Sequence, residues 1–92
     1  MGSSDAASYR IRIKRSATKE LRALPAPARR TLVGRIMKLA RDPRPRGVEK
    51  LKGLENAYRI RSGVYRIVYE ILDRELVVTV IRVAHRKDAY RR

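Results

Sequence analysis

The stretch AYRIRSGVYRIVYEILDRELVVTVIRVA, residues 57–84, decides the fold. Ala57–Ser62 alternates, with Tyr58 and Ile60 on one face and Arg59 and Arg61 on the other, the period of two expected of a half-buried strand. Val64–Leu72 is mostly apolar and suits a central strand, and Leu76–Ala84 is rich in Val and Ile. Ser62-Gly63 and Asp73-Arg74 read as hairpin turns between them.

Working outward, Tyr9–Lys14 sets Tyr9, Ile11 and Ile13 against Arg10, Arg12 and Lys14, which predicts a first strand. Ser16 is placed as a helix N-cap, with Ala17, Leu21 and Leu24 at helical spacing. Pro25 ends that short helix, and Pro27 suits the first turn of a second one, where a missing N–H costs nothing. The second helix is expected over Ala26–Arg41, with Ala28, Leu32, Ile36, Leu39 and Ala40 as its apolar stripe, stopped by Asp42-Pro43 and Pro45. The two helices should form an antiparallel hairpin. The basic connector from Arg44 to Glu55 is longer than a simple turn needs, which hints at function. Met1–Ser8, MGSSDAAS, is small and polar and is read as a flexible tail preceding one domain over residues 9–92. The order β-α-α-β-β-β predicts an α+β fold, a twisted, mainly antiparallel sheet with a helical hairpin packed on one face and the other face open.

Alternation then assigns the faces. In Val64–Leu72, Tyr65, Ile67, Tyr69 and Ile71 form the apolar set and should face the helices, leaving Arg66 outward. Val77, Thr79, Ile81 and Val83 are assigned to the core of the last strand, placing Arg82 outward. Arg59, Arg61, Arg66 and Arg82 thus collect on one surface, with Arg86 just beyond the strand. Any one of them alone reads more readily as a solvated surface residue. As a group of like charges, they point to an anion.

Composition agrees. In 92 residues, 24 Lys and Arg face nine acids, a net charge of +15, which favours polyanionic partners and salt-dependent binding. There is no cysteine and one histidine, so neither disulfides nor a structural metal site is expected, and no cofactor. No apolar run approaches a membrane span, and no secretory region opens the chain, so a cytoplasmic location without membrane contact is expected. Carboxylates are few and scattered, so any RNA chemistry here should proceed without metal, one available route being attack by the RNA's own 2′-OH. Arginine can stabilise phosphorane charge but is a poor base, which leaves His85 and Tyr90 as proton carriers. Tyr58, Tyr65 and Tyr69 read as core.

KLKGLENAYRIRSGVYRIVYEILD, from Lys50 to Asp73, and VTVIRVAHRKDAYR, from Val78 to Arg91, resemble the RelE/ParE superfamily of toxins, as does the ELRALP step of the helical region. The resemblance implies a RelE-type mRNA interferase of a type II toxin–antitoxin system. Such an enzyme cleaves translated mRNA in the ribosomal A site, against ribosomal RNA, and is neutralised by a cognate antitoxin whose acidic segment would lie over the sheet face. The catalytic set it implies is Arg59, Arg61, Arg66, Arg86 and Tyr90. Arg66 and Arg86 would stabilise the phosphate, and Tyr90 would orient or deprotonate the 2′-OH. His85 is a possible acid or base, and Lys50, Lys52 and Arg82 are placed as RNA-binding. RelE-type chains carry lysines where Arg59 and Arg61 stand, and an arginine keeps its proton, which shifts the acid–base work toward Tyr90 or His85. The alternative reading is a ParE-like inhibitor of DNA gyrase without RNase activity. A third is a protein that only grips RNA.

Overall fold

The computed structural model describes residues 8–85. Its elements are β1 (Arg10–Ile13), α1 (Arg15–Arg22), α2 (Ala26–Lys38), β2 (Glu49–Lys50), β3 (Ala57–Ser62), β4 (Tyr65–Leu72) and β5 (Val77–His85). They form a two-layer α+β fold with a five-stranded sheet in the order β1-β5-β4-β3-β2. β2 to β5 pair antiparallel, while β1 runs parallel to β5. β1 and β5 are separated along the chain by both helices and three strands, which gives the long connection a parallel pair needs.

Ala17 and Leu21 of α1 and Leu32, Ile36 and Leu39 at α2 meet Ile60, Ile67, Tyr69, Ile71, Val78, Val80 and Val83 of the sheet. Each large aliphatic side chain withdrawn from water here contributes about 1.5–3 kcal/mol. Among the described residues no helix covers the other face, and none is long and apolar enough to cross a membrane.

Four local expectations are corrected. Ser16 is not the N-cap; Lys14 is, without a side-chain cap. The Lys14 N–H still donates to Val80 O at 2.9 Å while its carbonyl accepts from Thr18 N–H, so strand passes directly into helix. α2 ends at Lys38 instead of Arg41, because the N–H groups of Ala40 and Arg41 turn back to Met37 and Lys38 in tighter three-residue turns. The connector holds a fifth strand, β2, with only two residues and therefore no readable period. Finally, the core assignment in β5 was out of phase: Val78 and Val80 face the helices, not Thr79 and Ile81. Val68 stands opposite Arg82 and Tyr69 opposite Val80, so Ile81 is a bulge that resets the alternation before Val83.

The connector is fixed by a polar network. Arg44 grips Asp73 through two nitrogens at 2.8 and 3.3 Å, the Tyr9 hydroxyl donates to Asp73 Oδ1 at 2.6 Å, and the buried Tyr69 hydroxyl donates to Pro43 O at 2.7 Å. Gly63, at φ 63°, makes the β3–β4 turn, which lies at Gly63-Val64.

Candidate functional site

Paired residues of neighbouring strands project to the same side of a sheet. Arg61 of β3 pairs with Arg66 of β4, which pairs with Ala84 of β5. One row along, Arg59 pairs with Val68, which pairs with Arg82. The face away from the helices therefore carries four arginines in two adjacent rows. Arg82 points outward as expected, though only because the bulge restores the phase.

Arg66 is the centre of the group. It is 4% exposed, while Arg61 and Arg82 are open to solvent. An anion brought to a guanidinium so withdrawn from water feels it in a lower dielectric than at an exposed site, which strengthens the attraction.

Glu49 of β2 pairs with Arg59 and completes the row at the sheet's edge. Arg59 donates to its Oε1 through Nε at 3.1 Å and through a second, shorter contact from Nη2. The Arg59 hydrogen bonds, then the charges of Arg59, Arg61 and Arg66, hold the Glu49 carboxyl below its ordinary value. This carboxylate escaped the sequence reading. A two-residue strand in an irregular connector leaves only the single step from Glu49 to Lys50 to suggest which side each would take.

Glu20 of α1 was missed as well. β1 ends opposite Val80, so among the described residues no strand pairs with the outer edge of β5 beyond it. Glu20 Oε1 accepts the Val83 N–H at 2.7 Å, and its Oε2 stands 3.8 Å from Arg82 Nε. One carboxylate thereby caps the strand that leads out of the sheet and touches an arginine of the open face.

Other predicted residues fall elsewhere. His85 pairs with Tyr65, on the helix side, with the two rings edge to face at 5.5 Å. Lys50 pairs with Tyr58, and its Nζ lies 5.2 Å from the centre of that ring, also on the helix side. Lys52 is exposed in the turn after β2. Arg86 and Tyr90 lie outside the described residues. Tyr69 is fully buried and burial raises its hydroxyl pKa, in keeping with a core role. No group of three or more His, Asp or Glu side chains suited to a metal ion occurs among the described residues.

A family model described as the ParE toxin of the type II toxin–antitoxin system parDE matches residues 11–90. Toxin RelG of Mycobacterium tuberculosis is 33% identical over 85 residues, covering 91% of this chain and 98% of the relative. The mRNA interferase toxin RelE of Escherichia coli K12 is 35% identical over 81 residues, covering 86% and 84%. Among solved structures, the toxin in the RelBE2 toxin–antitoxin complex of M. tuberculosis superposes with a TM-score of 0.76 at 30% identity, covering 85% of this chain and 98% of that one.

Proposed function

The chain belongs to the ParE toxin family of type II toxin–antitoxin systems, with RelE-type toxins as its relatives, and we propose that it is an mRNA interferase. In this reading it is a ribosome-dependent, metal-independent endoribonuclease that cuts translated mRNA in the A site. The observation that carries it is the placement of Arg66, nearly buried, between Arg61, Arg59 and Arg82 on the one sheet face that no helix covers among the described residues.

The chemistry follows from the residue types. The 2′-oxygen bonds to phosphorus, the P–O5′ bond breaks, and the products are a 2′,3′-cyclic phosphate and a 5′-hydroxyl. Arg66, joined by Arg86, offsets charge on the phosphorane, while Arg59 and Arg61 hold the strand. The 2′-OH proton goes to Tyr90, or less readily to Glu49, whose arginine neighbours keep it ionised but make it a weaker base, and the departing 5′-oxygen takes up a proton from water. His85 is the weaker choice, because its strand position sends it to the opposite face.

A cognate antitoxin is the partner of this reading. An acidic segment lying over the arginine face would offset its charge and exclude RNA, and the structural relatives include toxin–antitoxin complexes.

Mapping mRNA 5′ ends after induced expression tests the proposal. New ends within translated frames, lost in Arg66→Ala and reduced in Tyr90→Phe, are expected. The family match to a ParE toxin favours one second reading, inhibition of DNA gyrase. Growth arrest with intact mRNA and blocked replication would replace the nuclease reading with that one.

A further inference from the structure

β1 brings two more arginines to the same face. Arg10 pairs with Val77 and Arg12 with Thr79, while Ile11 and Ile13 pair with the helix-side residues Val78 and Val80. Both arginines are exposed. We propose that Arg10 and Arg12 form a second phosphate-binding subsite, for backbone phosphates of the single-stranded RNA whose scissile phosphate lies at Arg66; this rests on the RNA reading above.

Three observations carry it. β1 lies two strands from β4, on the order of 10 Å across, and Arg12 and Arg10 stand opposite Thr79 and Val77, roughly 15–20 Å along β5 from Ala84, the partner of Arg66, a span that several nucleotides of extended strand cover. Among the described residues no acid pairs with these charges. Arg44 pairs with Asp73, Arg59 with Glu49 and Arg82 with Glu20, and none of these ion pairs involves Arg10 or Arg12. Third, the path from Arg66 to Arg12 passes Val68, Arg82 and Thr79, with Glu70 as its acid, opposite Thr79 and Ala57. Glu70 repels a phosphate above that row, so riboses and bases cross it and phosphates settle at either side.

Edge strands also carry charge simply to discourage pairing with another chain. That role requires charge but no phosphate contact, and the two are separable. Binding of a single-stranded RNA trinucleotide and of a dodecanucleotide is to be measured across a salt series for the unaltered chain, R10A/R12A and R10K/R12K. Loss of two phosphate contacts should flatten the dependence of log K on log salt by about 1.4 for the dodecanucleotide and weaken its binding on the order of tenfold at low salt. Trinucleotide binding, confined to the Arg66 group, should stay unchanged, and R10K/R12K should restore the slope. An unchanged dodecanucleotide slope in R10A/R12A overturns the subsite while leaving the RNA reading intact. Failure of the unaltered chain to bind either RNA overturns both. If R10A/R12A keeps the RNA slope and loses affinity only for poly-glutamate, the arginines serve an acidic protein instead, and the subsite is overturned.

Discussion

The two faces of the sheet are built from alternate residues of the same strands, yet they are chemically opposite. On the helix side, the row Ile60–Ile67–Val83 and the row Tyr58–Tyr69–Val80 pack against α1 and α2. A single residue step away, Arg61–Arg66–Ala84 and Arg59–Val68–Arg82 face outward. The apolar rows supply the burial that holds the domain together. The arginine rows concentrate positive charge, which lowers stability by self-repulsion and is useful only when an anion arrives. Cohesion and chemistry are thus separated by the pleat, so mutations on one face should read out differently from mutations on the other.

Several substitutions would break or sharpen that contrast. The largest effect belongs to the helix side: Tyr69→Ala should cost about 3–5 kcal/mol of stability, seen as a fall in the urea midpoint, with cleavage lost only as the fold is lost. On the other face, Arg66→Ala should lower the cleavage rate about 10²–10³-fold with a far smaller change in midpoint. Equal rates for Arg66→Ala and the unaltered chain would remove the proposed site. Glu20→Ala crosses the divide, because it strips the acceptor from the part-buried Val83 N–H and a neighbour from Arg82. It should cost about 1–3 kcal/mol in urea and also alter RNA binding. Glu49→Gln should free Arg59 and tighten oligonucleotide binding about threefold in a salt-series titration.

Acid pH gives the mildest test. The Asp73 carboxyl is held below its ordinary value of 3.8 by hydrogen bonds from Arg44 and Tyr9, and Glu49 below 4.5 chiefly by Arg59. A depressed folded pKa means that the contribution is fully present above those ordinary values and fades as pH falls through the lower folded ones. Stability followed by circular dichroism should therefore decline below about pH 4, and Asp73→Asn should flatten that limb. An unchanged acid limb in Asp73→Asn would show that the Arg44–Asp73–Tyr9 network does not set it.

Much of the site was legible because strand alternation is a local property. Arg59, Arg61 and Arg66 each sit between apolar neighbours destined for the helices, and that is enough to turn them outward together. Arg82 was placed correctly by an assignment that was wrong for Thr79 and Ile81, since a bulge at Ile81 cancelled the error. Nothing in the run of Val and Ile from Val77 to Val83 marks where an extra residue is accommodated. Glu49 and Glu20 were illegible for a different reason. Their partners, Arg59 and the Val83 N–H, lie 10 and 63 residues away, and only the folded arrangement joins them.

By itself the sequence determined the α+β order, the helices set out by Pro25 and Pro27, the apolar side of β3 and β4, and the strong positive charge. Each depends on short-range periodicity, backbone restriction or simple counting. Tertiary structure alone decided that β1 joins β5 in parallel, that β2 carries Glu49 into the arginine rows, and that Lys50 and His85 turn away from them. Those outcomes depend on strand pairing across the chain, where a single residue of register moves a side chain from one face to the other.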